Sequence, residues 1–404
     1  MMRLIGVASI ALVLALTLTS VSARQDSHQR LDGREIFRFD TFGDEQLWTD
    51  VLRLHEAVQN LRPVDALSLG LKVDVDALPP EIVDALRAEE GVDLTDPAVT
   101  IALLQLNAVV GVMGKVDESG QLTSIGITCA LCHSNVDDSV TAGIGKRLDG
   151  WANHDLDVGK IAGSAPGLPP AFKTEFDKWG PGMYDPRHHA FNGVNVLELH
   201  PGELSVPVVT PAIYGLKGVG FETYTADGPI SYWNSYVGVG QMGGHGDFSD
   251  SRIRLSIDQT PPDLVTPKLK ALLDYQLSLR APAPPDGSFD RRARARGMQL
   301  FFNEAGCGRC HSRPQYTDVL SGPLKDVPFL HDPLETGMDR AYADRSATRQ
   351  YRTTPLRALW QHAPYFHDGS ARDLPAVVEH YDEHFVLGLT DDQKADLVEF
   401  LKSL

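Results

Sequence analysis

Two pentapeptides hold all four cysteines of the chain: CALCH at 129–133 and CGRCH at 307–311. In each, two thiols stand three apart and a histidine follows the second at once. A disulfide has no use for that histidine. A zinc site wants a second cysteine or histidine pair close by, and none follows. The pattern fits c-type haem attachment, in which each thiol adds to a haem vinyl group and the histidine becomes the proximal iron ligand. Cys129, Cys132, Cys307 and Cys310 are therefore read as the attachment points of two haems, and His133 and His311 as their iron ligands. The ring nitrogen turned away from iron is expected to donate to a backbone carbonyl.

The rest of the sequence is consistent with thiols committed in this way. It opens MMRLIGVASIALVLALTLTSVSARQDS, one arginine ahead of a short apolar run and small residues at Val21-Ser22-Ala23. This reads as a signal peptide over 1–23, cleaved after Ala23, because the run is short for a spanning helix. The expected location is the periplasm, where spare thiols would pair. Net charge is −17, and losing the leader removes only Arg3. That excess argues against nucleic acid and anionic membranes and favours a basic redox partner.

The elements that must position the haems can be read in outline. The segment RAPAPPDGSFD carries three prolines and marks a linker, 281–290, between a 24–280 domain and a 291–404 domain. Beyond it, Asp290 is a candidate N-cap for a helix leading into the second haem motif. The chain ends on a helix opened by a Thr390/Gln393 capping box. Gly297 stands four residues before Phe301, and Gly33 four before Phe37. Each pair resembles the small cytochrome c fold, which implies a first helix crossing a last helix at a glycine beside an aromatic, since only glycine permits the approach. Helices are expected over 47–58, 80–90, 99–112 and 267–279, the first three forming an insertion. The stretch 134–262 is expected to be mostly loops over haem one. The fold class expected is all-α: two cytochrome c-type domains, the first with a helical insertion and long loops.

The chain resembles the bacterial di-haem cytochrome c peroxidase and MauG-like family. The motifs are RGMQLFFNEAGCGRCH, RTTPLRALWQHAPYFHDGSARDLPAVVEHYD and LTDDQKADLVEFLKSL, with a looser likeness over VTPAIYGLKGVGFETYTADG. The resemblance implies a C-terminal haem that takes electrons from a small cytochrome c or cupredoxin. It implies an N-terminal haem that meets hydrogen peroxide, two haem c groups, and in some members a homodimer. The family's sixth ligand of haem two corresponds to Tyr381, with Met338 or His380 as alternatives. A removable distal ligand of haem one corresponds to His200, with Met242, His245 and His189 as alternatives. The family's distal glutamate corresponds to Gln241, which cannot take a proton. Glu222, Glu203 or His245 would then fill that role. The family's tryptophan before Asp-Gly is Ala226 here, and Trp233 is the nearest substitute. A calcium site would use Thr353 and Pro355, although Val209 replaces its asparagine. Two other functions fit the same motifs: a plain di-haem electron carrier, or an oxidoreductase for a small organic or sulfur compound.

Overall fold

The structure, a computed structural model, describes residues 31–88, 91–187, 205–259, 261–319 and 329–404. The leader and its cleavage point lie outside the described residues, as do His189, His200 and Glu203. Asp32–Leu404 packs as one compact unit.

Two helix crossings frame it. The helix Gly33–Phe39, whose cap Asp32 accepts the N–H of Arg34, meets Leu269–Ser278 at Gly33. A Cβ on Gly33 would lie 1.9 Å from the carbonyl oxygen of Ala271, so only glycine fits. The second crossing repeats this geometry. Asp290 accepts from the N–H groups of Arg292 and Ala293 to open Arg291–Phe302, which crosses Asp391–Lys402 at Gly297. The closing helix carries the capping box of Thr390 and Gln393. Each glycine has its aromatic one turn on: Phe37 packs 5.5 Å from Tyr275 and Phe301 packs 5.1 Å from Phe400, centroid to centroid.

The all-α expectation is corrected. Among the described residues, strands pair into six two-stranded sheets. The helix expected over 99–112 ends at Gln105. Asn107 and Gly111 turn the chain with positive φ, and Val112–Val116 then pairs antiparallel with Leu122–Ile127. The run Val109-Val110-Gly111-Val112 is β-branched around a glycine, which favours extended backbone over helix. A Cβ on Gly111 would sit 2.1 Å from the backbone nitrogen of Leu131, so the hairpin presses on the first haem motif. The middle of the chain is also more ordered than expected. It holds Val158–Gly163, Pro170–Phe176, Ile230–Tyr236 and a hairpin of Asp247–Asp250 with Leu255–Asp258. These elements are too short to show a clear period in sequence.

Three main apolar cores result. One lies under the inserted section, around Leu104, Leu122, Ile125 and Phe176. A second gathers Phe37, Trp233, Tyr236 and Met242, with Cys129 packed against it. The third is built on Phe301, Leu374, Val378, Leu397 and Phe400, with Cys307 at its edge. The first core keeps an apolar cavity of about 140 Å³ bounded by Leu54, Leu103, Val112, Leu131 and Ile144. Among the described residues, no helix is long and apolar enough to cross a membrane.

Candidate haem sites

The first motif folds as a four-residue helix, Ala130–His133, directly after the hairpin. Thr128 ties it upstream: its N–H donates to the carbonyl of Gly111 at 2.9 Å and its hydroxyl to that of Arg38 at 3.0 Å. Downstream, the N–H groups of Gly150 and Asn153 return to the carbonyls of His133 and Cys132 at 2.8 and 2.9 Å. His133 Nδ1 lies 3.1 Å from the carbonyl oxygen of Pro211. A carbonyl can only accept, so Nδ1 carries the proton and Nε2 keeps a free lone pair. Burial holds the pKa of this ring down at about 4, so it is neutral, the form that binds a metal. Burial also pushes the Cys129 and Cys132 thiols up to about 12.

The second motif obeys the same logic with different partners. Gly306 enters in the left-handed conformation and Cys307–Arg309 makes a 3₁₀ turn. A Cβ on Gly308 would strike the Phe302 ring at 2.3 Å. His311 Nδ1 donates to the Tyr316 carbonyl at 2.9 Å, again freeing Nε2. This histidine opens onto a cavity of about 630 Å³, within the range of cofactor sites. The cavity suits haem chemically. Phe301, Leu374, Val378 and Leu401 form its apolar walls, while Thr223, Arg352 and Arg357 also line it. The Thr223 hydroxyl and the Nε atoms of both arginines are buried without a partner, a set that suits the two propionates. All four cysteines are free thiols, as attachment requires.

Tyr381, on the helix Leu374–Phe385, lines the same cavity as His311. Burial, then the neighbouring Cys307 and Cys310, pushes its hydroxyl pKa up. Met338 also lines the cavity. His380 does not, and its Nε2 donates to the Thr336 carbonyl at 2.9 Å. Thr353 and Pro355 line the cavity as well, but the Thr353 carbonyl already accepts the Thr317 hydroxyl at 2.5 Å. The Val209 carbonyl accepts that of Tyr224 at 3.1 Å.

The residues expected around haem one are partly gathered. Trp233 and Met242 share one core with Cys129. The Trp233 indole donates to the Glu222 carbonyl at 3.0 Å, and the Glu222 carboxylate lies 3.0 Å from Arg352. Burial raises the Glu222 pKa, with Arg352 opposing it. Gln241 donates its amide to the Pro186 carbonyl at 2.9 Å. His245 packs beside Gly43 and Leu264, with Nδ1 buried and unpartnered.

Two groups escaped sequence reasoning. Tyr351 lies 2.9 Å from Nε2 of His367, both buried, with Tyr224 and Tyr342 against the same imidazole. The PYFHDG turn signalled this histidine, but nothing in sequence pointed to three tyrosines spread over 127 positions converging on it. His154 spans two segments, its ring nitrogens 3.0 Å from the carbonyls of Thr210 and Ala363. Among the described residues one cluster has metal-ligand spacing: Cys310, Asp318 and His331. Thioether formation at Cys310 would consume its thiol.

No family model matches the chain. It is similar to the methylamine utilization protein MauG of Methylorubrum extorquens, 32% identical over 127 residues, or 27% of this chain and 33% of that protein. It is similar to the cytochrome-c peroxidase IdrP2 of Denitromonas iodatirespirans, 29% identical over 151 residues, 30% and 41% of the two chains. A third relative is the hydrazine synthase subunit gamma of Kuenenia stuttgartiensis, 30% identical over 174 residues, 34% and 49%. The matches thus span about a third to a half of these relatives. A solved MauG-like protein associated with microbial copper homeostasis overlaps 50% of this chain and 77% of its own, with TM-score 0.38 and 19% identity.

Proposed function

We propose that the protein is a periplasmic di-haem c-type oxidoreductase of the peroxidase/MauG kind. It reduces hydrogen peroxide, or uses it to oxidise a partner. One observation carries the reading: both CxxCH histidines are half-buried with Nδ1 donating to a backbone carbonyl, so both keep Nε2 free for an iron. Bound haems would supply electron transfer and peroxide chemistry. In this reading residues 24–280 hold the reactive haem, 281–290 link, and 291–404 hold the relay haem.

The chain's own contributions follow from its side chains. Tyr381 offers haem two a phenol oxygen, which favours the ferric state where a thioether would favour the ferrous. Arg352 and Arg357 are placed for the propionates. The line from Trp233 through Glu222 to Arg352 joins the core around Cys129 to the cavity of His311. Gln241 can hydrogen-bond a ligand of haem one but cannot take its proton.

Electron paramagnetic resonance of the purified protein tests the proposal. A high-spin ferric signal, present at once or on half-reduction and consumed by peroxide, is expected. Two low-spin signals indifferent to peroxide in every redox state would make the protein an electron carrier instead.

A further inference from the structure

The cavity that opens on His311 and the one behind the first haem motif differ sharply in chemistry. The first carries buried polar groups without a partner, the Thr223 hydroxyl and the Nε atoms of Arg352 and Arg357. In the second, all the lining residues are apolar except Lys72, Thr100 and Ser164. Each of these three has its polar atom engaged elsewhere. Lys72 Nζ lies 2.5 Å from a carboxylate oxygen of Asp155, and the hydroxyls of Thr100 and Ser164 donate to the carbonyls of Leu61 and Ile161 at 2.6 and 2.7 Å. A trapped water needs two to four polar partners, and no buried side-chain atom of this lining is left wanting one.

The walls are also held so that they do not close on the space. Backbone hydrogen bonds tie the surrounding segments together. The N–H groups of Val73, Asp74 and Val110 donate to the carbonyls of Gly143, Ala108 and Lys72 at 2.9, 2.8 and 2.9 Å, and that of Val64 to Leu94 at 3.0 Å. The hairpin already meets the backbone of Leu131 at Gly111, where not even a Cβ has room, so it cannot advance further. The cavity is therefore preformed, and a molecule entering it spends little on reorganisation. Its size selects the occupant. An aliphatic cavity of about 150 Å³ stays dry and takes up benzene or xenon, and this one measures about 140 Å³. A charged or hydrogen-bonding molecule would lose its partners on entering.

We propose that the inserted section is a binding site for one small uncharged apolar molecule, on the scale of a single hydrocarbon ring. A molecule held there lies against Leu131, a residue between the thiols of Cys129 and Cys132. The assignment stands apart from the redox reading above. Benzene is the probe, added to the intact haem-loaded protein. Calorimetric titration is expected to show one site with a negative heat-capacity change, and the melting temperature to rise with benzene concentration. Diffraction from crystals equilibrated with benzene vapour is expected to place the ring among Leu54, Leu103 and Leu131. Phenol, which brings a hydroxyl, is expected to bind at least tenfold more weakly. Ala66→Leu, which fills the space, is expected to weaken benzene binding at least tenfold. Val112→Thr keeps the shape of the wall but adds a hydroxyl to it, and is expected to weaken binding several-fold; it carries the test if the filled variant does not fold. Absence of a benzene site in the unaltered protein overturns the proposal. So does a ring bound only outside this cavity, ordered water filling it, phenol binding as tightly as benzene, or unchanged affinity in every variant that folds.

Discussion

Gly297 lies so close to Asp396 that a single methyl group would sit 1.9 Å from the latter's carbonyl oxygen. The contact is backbone on backbone, so no side chain can move aside to relieve it. Gly297→Ala must separate the first and last helices of the C-terminal core. The expected loss is about 3 kcal/mol, the upper end for an overpacked interior. Denaturant unfolding of the haem-loaded protein would read it as a lower midpoint with unchanged slope.

Tyr381→Met tests what stands opposite His311. Exchanging a phenol oxygen for a thioether is expected to raise the reduction potential of one haem and leave the other in place. A spectroelectrochemical titration would show this directly. Two unmoved potentials would assign the position to Met338, which shares the cavity.

His331 gives the protein an alkaline sensitivity. It lies between Asp318 and Glu335, each at 3.0 Å. Asp318 first, then Cys310 and Glu335, raise its pKa from the usual 6.5 to about 11. A raised histidine pKa means the folded state binds the proton more tightly. Its stabilisation is complete below about pH 6.5 and is lost as pH climbs towards 11. Melting temperature is expected to fall across that window, and His331→Gln to flatten the decline. Haem attachment at Cys310 removes one contributor, so the loaded protein should lose stability at a lower pH within the window than the haem-free one.

Asp227 and Arg187 form a buried ion pair. Asp227 also accepts the N–H groups of Ala347 and Thr348 at 3.0 and 3.3 Å. Asp227→Asn keeps an oxygen for those donors but leaves a guanidinium uncompensated against Trp233 and Tyr236. The expected cost is about 3–5 kcal/mol. Equilibrium unfolding would measure it, and a loss below about 1 kcal/mol would mean the pair is hydrated.

The sequence disclosed whatever depends on local spacing. The haem motifs and the caps at Asp290 and Thr390 are each set by residues within a turn or two of one another, and an aromatic four residues on marked each crossing glycine, although the backbone it meets lies far off in sequence. The 112–127 hairpin was hidden because Leu103, Leu104 and Leu106 continue a helical pattern until Asn107 and Gly111 break it. The carbonyls holding the proximal histidines show the limit of such reasoning. That a carbonyl would be there follows from metal-site chemistry. That it belongs to Pro211, 78 residues from His133, follows only from the fold. The tyrosines around His367 were illegible for the same reason, since their meeting depends on how distant segments pack.

The cavity beside Leu131 has a mechanical consequence. Empty space that vanishes on unfolding makes the folded form the more voluminous one, and hydrostatic pressure then favours the unfolded chain. The volume change scales with the internal space lost, and the space here is about 140 Å³. With the larger cavity of His311 filled by its haem, the inserted section behind the first haem motif would be a compressible part of the molecule. Under pressure it would yield while the two glycine-locked crossings still hold.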